Sequence, residues 1–242
     1  MSDTKKFRMN FYVPARDGHY VDDGIGIHTF VCNALSLAAD WNPKEYWHNV
    51  QILKTLYSSH VEIHTPDERG LFNTIAMPVN ECLIALGDSY TSTMGQAGGK
   101  NRTGSGVCVR PASEVYTNPE RWFYCEFEVP TEVYDQMVIN MGLDVQFNKG
   151  YDKKMIWSFF GWRSTNDKDK YICSEFCFKH LRCAMFALLV DTDMIQSKRV
   201  RACAIETQLK PTMSPLRGAH TLHKCGVDFY NMDKSLLLAG IK

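Results

Sequence analysis

The sequence predicts an α+β fold in which helices pack against an antiparallel sheet or barrel. Segments with the two-residue period of strands and segments with the 3.6-residue period of helices both occur along the 242 residues. They do not alternate regularly, as a doubly wound parallel sheet would require, so their order favours α+β. The apolar fraction of 45% and the charged fraction of 22% are those of an ordinary globular protein.

Strand patterns occur in both halves of the chain. In residues 61–65, apolar and polar side chains alternate, and Pro66 and a charged turn follow. In residues 122–129, bulky apolar side chains alternate with acidic ones. We also predict strands at residues 7–13, 72–79, 81–86 and 106–110. The polar, glycine-rich segment 95–106 is expected to form a hairpin tip or a flap over a site.

Helical periodicity predicts helices at residues 27–39, 43–56, 131–141, 153–160 and 174–189. Thr131 is expected to cap the helix that begins there. From residue 208 onward the chain carries two prolines and a glycine within a short span. We therefore predict one domain over residues 1–207 and an appendage, residues 208–242, that packs against it.

Charge and composition exclude several classes of protein. Basic and acidic residues number 27 each, which argues against a general binder of nucleic acid or of membrane surfaces. No secretory signal peptide and no apolar run of roughly 18 residues is visible. Nine cysteines without an export signal are expected to be reduced thiols. The predicted protein is cytoplasmic and has no membrane span.

Cys173 lies where the longest predicted helix begins. The unpaired N–H groups and partial positive charge of a helix N-terminus favour a thiolate and can hold an oxyanion. Two other interpretations stay open. Cys173 can be a small buried hydrophobe, or it can bind a metal with Cys177, His180 and Cys183. Four ligands in one stripe of a helix cannot surround a tetrahedral ion, which disfavours the metal.

The second candidate segment is the strand that begins near His60. Alternation places His60, Glu62 and His64 on one face of this strand. His60 is a suitable general base for a thiol across a groove, and Glu62 could orient its ring. The same three side chains could instead bind a metal, or form a polar edge that faces solvent.

Three motifs, taken together, resemble one family. Residues 59–63 (SHVEI) are similar to a histidine strand, residues 150–152 (GYD) to a Gly-Tyr-Asp segment, and residues 171–175 (YICSE) to a nucleophile motif. Residues 106–111 (GVCVRP) fall where a Gly-Val strand lies between them. In this order they resemble the circularly permuted NlpC/P60 group of papain-like cysteine hydrolases, which includes YiiX/YycO-like proteins.

The resemblance implies a nucleophilic Cys173 and a basic His60, with no cofactor. The group usually adds a third polar residue that orients the histidine. Glu62 stands where the group has glycine and is the first candidate for this role; Asp88, Ser89 and Ser92 are the others. The implied substrate is a small peptide, a peptidoglycan fragment or an acyl ester or thioester, and residues 1–207 would be the catalytic domain.

Two functions of different classes remain as alternatives. The first is a metal-dependent enzyme that uses His60, Glu62 and His64. The second is a catalytically silent binding protein on the same fold, encoded by a phage, with the aromatic side chains of residues 157–162 at its interface.

Overall fold

The computed structural model describes residues 3–13, 58, 60–66, 87–93, 106–116, 119–152, 169–190 and 196–232. These residues form a mixed α+β arrangement with one open sheet, which confirms the predicted class. The elements predicted at 27–39, 43–56, 72–79, 81–86 and 153–160 lie outside the described residues, as does most of the glycine-rich segment.

The sheet has eight strands in the order β7-β6-β4-β3-β2-β1-β5-β8. The strands are β1 (Thr4–Tyr12), β2 (His60–Thr65), β3 (Asp88–Thr93), β4 (Gly106–Pro111), β5 (Trp122–Pro130), β6 (Gly150–Tyr151), β7 (Lys170–Tyr171) and β8 (Tyr230–Asn231). All neighbours pair antiparallel except β6 and β7, which run parallel. The sheet is therefore mixed and open, where the sequence predicted an antiparallel sheet or barrel.

Five helices lie among the described residues: α1 (Ala112–Val115), α2 (Thr131–Gln146), α3 (Cys173–Val190), α4 (Gln196–Gln208) and α5 (Pro215–Lys224). The prediction that Thr131 caps α2 is wrong. Pro130 occupies the cap position, and the Thr131 hydroxyl donates to the Asp3 carbonyl oxygen at 3.0 Å, which ties the helix start to β1. The helix also continues past the predicted end at 141.

One face of the sheet is apolar and packs against α3. On β1, Phe7, Met9 and Phe11 are fully buried, and alternation directs all three to this face. Phe11 lies opposite Val61 of β2 and stacks on Phe123 of β5, with ring centroids 5.2 Å apart. Residues of α3 belong to the same apolar core. The other face therefore receives the intervening polar side chains of β1 to β4.

Residues beyond 208 share this core. Leu209, Leu216, Ala219 and Leu222 are buried in the same cluster as the sheet and α3, and β8 pairs with β5. Residues 209–232 thus pack on the rest of the chain, while the predicted boundary at 207/208 stays a prediction. Of the helices that the structure describes, none is long and apolar enough to cross a membrane.

Gly218 permits close packing of α5 on α3. A Cβ atom at this position would lie 1.9 Å from Cζ of the buried Phe178 ring, whereas a Cβ at Gly142 of α2 would meet nothing within 4 Å. We expect Gly218→Ala to lower the free energy of unfolding by about 1–3 kcal/mol through overpacking. Gly142→Ala, the matched control, should raise it by about 0.5–1 kcal/mol. Denaturant unfolding of both variants measures this, and equal stabilities would contradict the packing.

Candidate active site

The fold brings together the two residues predicted to form the catalytic pair. His60 is the first residue of β2 and Cys173 is the first residue of α3. One turn into the helix, the Cys177 thiol donates to the Val61 carbonyl oxygen at 3.4 Å, which fixes the start of α3 against the start of β2. Across this junction the Cys173 sulfur acts on the His60 imidazole by its charge and as a hydrogen-bond partner, and both effects raise the pKa of His60.

The surroundings of His60 favour its charged form. Burial lowers the pKa of His60, but the Cys173 sulfur and the Glu62 carboxylate raise it by more, and the balance places it at about 9. The ring is therefore an imidazolium at neutral pH when the sulfur beside it is a thiolate. An imidazolium next to a sulfur is the arrangement that stabilises a nucleophilic thiolate.

Glu62 holds the imidazole ring through its Nε2 atom. Its Oε1 lies 3.0 Å from Nε2 of His60, and the Thr91 hydroxyl lies 3.3 Å from the same nitrogen. The two side chains share one strand face, as the alternation predicts, and the Glu62 side chain is fully buried. Glu62 is thus the predicted orienting candidate that contacts His60.

The Glu62 carboxylate has further partners on neighbouring strands. The Arg110 guanidinium on β4 donates to its Oε1, and the Ser89 hydroxyl on β3 donates to its Oε2. Ser89 in turn lies 2.7 Å from the Tyr116 hydroxyl. Burial raises the pKa of Glu62, yet the charge of Arg110 and the contacts from His60 and Ser89 lower it overall, so the group is ionised.

The remaining predicted candidates lie elsewhere. The Ser92 hydroxyl donates to the Tyr171 carbonyl oxygen at 2.7 Å, and Asp88 is exposed at the start of β3. The His64 ring packs on Tyr116, with centroids 5.4 Å apart. Within the part of the chain that the structure describes, no group of three or more His, Cys, Asp or Glu side chains could hold a metal ion.

The Gly-Tyr-Asp segment lies beside the segment that leads to the nucleophile. Gly150 and Tyr151 pair in parallel with Lys170 and Tyr171, and the Asp152 N–H donates to the Tyr171 carbonyl oxygen at 3.1 Å. Burial, the Cys173 sulfur and the Asp152 carboxylate all raise the pKa of Tyr151, so its phenol keeps its proton. A neutral phenol close to the thiol is a hydrogen-bond donor that the sequence alone did not assign to the site.

A second polar cluster anchors β7 to the helices. Lys149 and Lys179 both donate to the Tyr171 hydroxyl, and their Nζ atoms lie 4.9 and 4.7 Å from its ring centroid. Asp144 on α2 contacts Lys149 at 2.8 Å and the His180 Nε2 at 3.0 Å. Burial raises the pKa of Asp144, but the hydrogen bonds from His180 and Lys149 outweigh it and lower the pKa. Tyr171, two residues before Cys173, is therefore held by both its backbone and its side chain.

Replacement of the thiol tests the coupling of Cys173 to His60. In Cys173→Ser the neutral hydroxyl removes the sulfur charge that raises the pKa of His60, while burial continues to lower it. We expect the pKa of His60 to fall below its value of about 9, as measured by NMR titration of the imidazole. His180 is the internal control because its pKa is lowered by burial and its hydrogen-bond partner is Asp144. An unchanged His60 titration would contradict the contact.

Comparison of the chain with family models, with curated proteins and with solved structures found no match. The resemblance to the permuted NlpC/P60 group therefore stays a prediction. The chemistry proposed below depends on the geometry of the site: a thiol at a helix start, an imidazole at a strand start, and a buried carboxylate behind the ring.

Proposed function

We propose that the protein is a cysteine hydrolase of the peptidase or amidase type, or one that acts on acyl esters or thioesters. Cys173 is the nucleophile, His60 is the base, and Glu62 orients the base. The observation that carries the proposal is an imidazole on which the Cys173 sulfur acts by charge and hydrogen bonding, with a buried carboxylate oxygen 3.0 Å from its Nε2. Nucleophile, base and orienting group are the three components that thiol acyl transfer requires.

The reaction begins with the Cys173 proton already on His60, so that a thiolate faces an imidazolium. The thiolate then attacks the carbonyl carbon of the substrate, and the carbonyl oxygen becomes an oxyanion. His60 returns the proton to the leaving amine, alcohol or thiol, and an acyl group remains on Cys173. Water, deprotonated by His60, attacks this acyl-enzyme and releases the acid, which restores the thiol.

The start of α3 supplies donors for the oxyanion. The helical hydrogen bond from the Phe176 N–H to the Ile172 carbonyl oxygen, at 3.0 Å, closes the first turn. The N–H groups of residues 173–175 precede it and have no acceptor within the helix. The Cys173 N–H is the first donor of the helix, and the positive end of the helix dipole adds to its effect on an oxyanion. The Tyr151 phenol, which is close enough for the charge of Cys173 to raise its pKa, adds a side-chain donor.

Competing interpretations are less well supported by the same contacts. A metal held by His60, Glu62 and His64 would require lone pairs on Glu62 that Arg110, Ser89 and His60 occupy. A structural role for Cys173 alone gives no reason for an imidazole beside the thiol that a buried, ionised carboxylate holds at 3.0 Å. The permuted NlpC/P60 arrangement is the fold that we propose with this activity.

Selective alkylation tests the nucleophile. Iodoacetamide at pH 6, followed by peptide mapping, should label Cys173 ahead of the other cysteines because His60 stabilises its thiolate. His60→Ala should slow this labelling by at least about tenfold. Cys125→Ala is the matched control, since burial raises the pKa of this thiol and its hydrogen-bond partner is the Met9 carbonyl oxygen. Uniform labelling, or a Cys173 rate that does not depend on His60, would overturn the proposal.

Replacement of the phenol separates oxyanion stabilisation from thiol reactivity. We expect Tyr151→Phe to slow acylation of Cys173 by an activated thioester by about 100-fold, because one donor to the oxyanion is lost. Alkylation by iodoacetamide forms no oxyanion, so its rate should change little in Tyr151→Phe. Intact-mass kinetics measure both rates, with Tyr230→Phe on the exposed β8 as control. Equal losses in both reactions would assign Tyr151 to packing instead.

A further inference from the structure

Arg110 lies behind the Glu62 carboxylate, two strands from the catalytic pair. Its guanidinium donates to Oε1 of Glu62, the oxygen that also lies 3.0 Å from Nε2 of His60. The strand order β4-β3-β2 and the pairing of Arg110 with Ser89 bring this side chain to the polar face of β2. About one fifth of the Arg110 side chain is exposed, and none of the Glu62 side chain.

We infer that Arg110 is a positioning residue of the Cys173–His60 pair and acts through Glu62. It keeps the Glu62 carboxylate ionised and turned toward the imidazole, so that His60 remains an imidazolium beside the thiol. The inference rests on the proposed function, which assigns the nucleophile and the base. Arg110 itself contacts neither Cys173 nor a substrate, so its effect on the reaction is indirect.

A buried carboxylate is costly unless a cation compensates for its charge. A fully buried carboxyl group without a cation takes up a proton, because burial disfavours its charged form. For Glu62, the charge of Arg110 is the largest influence that opposes burial. A protonated Glu62 would no longer attract an imidazolium. Arg110, Glu62, His60 and the Cys173 thiolate form a series in which positive and negative charges alternate, and each charge stabilises the next.

The Ser89 hydroxyl fixes the second carboxylate oxygen. It donates to Oε2 of Glu62 and lies 2.7 Å from the Tyr116 hydroxyl, which is buried between α1 and the sheet. The carboxylate is therefore held at both oxygens and cannot rotate away from His60 without loss of a contact. Among the described residues, the titratable groups that act on Glu62 or His60 include Arg110 and Cys108 from β4, Tyr116 after α1, and Cys173 and Cys177 from α3.

The test is the pH profile of Cys173 alkylation by iodoacetamide in Arg110→Met. Loss of the cation protonates Glu62, the imidazolium loses its anion, and the thiolate forms only at higher pH. We expect the acid limb of the profile to move up by about one pH unit, so that alkylation at pH 6 slows about tenfold. Arg110→Lys keeps the charge and should recover part of the rate. Arg8→Met is the control, since Arg8 pairs with Glu126 on the same sheet.

A double-mutant cycle with Glu62→Gln distinguishes positioning from general damage. If Arg110 acts through Glu62, Arg110→Met should add no further slowing in the Glu62→Gln background. The double variant also removes both buried charges together, so it should fold even where Arg110→Met alone leaves an unpaired carboxylate. Additive losses in the cycle would overturn the inference.

The controls separate this inference from the proposed function. Suppose that Cys173 labelling is slow in His60→Ala, but that Arg110→Met has the same pH profile of labelling as the wild type. This result would contradict the role of Arg110 and leave the catalytic pair intact. A His60→Ala variant that labels as fast as the wild type would contradict the catalytic pair itself, and the role of Arg110 with it.

Discussion

The site depends on one buried carboxylate. Glu62 is fully enclosed, and a charge in that position is stable only if every neighbour compensates for it. The compensation comes from three strands: His60 on its own strand, Ser89 on β3 and Arg110 on β4. These strands must pair in one register for the contacts to exist, because a slip of one residue would move the side chains to the opposite face. The same carboxylate therefore fixes both the sheet and the imidazole.

The site also requires a fixed position for the thiol, and the apolar face of the sheet provides it. The helix that begins at Cys173 lies on the apolar face through side chains such as Phe176 and Leu181. The backbone before it is held by Ser92, and the side chain of Tyr171 by two lysines. The proposed nucleophile and base thus come from a helix and a strand that pack on each other through Cys177 and Val61.

Local patterns predicted much of this site. Alternation placed His60 and Glu62 on one face, and the onset of apolar periodicity placed Cys173 at a helix start; both features depend on residues adjacent in sequence. Arg110 and Tyr116 could not be assigned because their roles require the pairing of β4 with β3 and of β3 with β2, which single-strand periodicity does not determine. The cap prediction for Thr131 failed because a tertiary contact with Asp3 competes with the local one.

The proposed ion pair of His60 and Cys173 is measured most directly by thiolate absorbance in the ultraviolet. The difference spectrum between the wild type and Cys173→Ser at pH 6 should contain one thiolate per chain, and His60→Ala should abolish it. A thiolate signal that persists without His60, or a wild type that shows none at pH 6, would contradict the proposal.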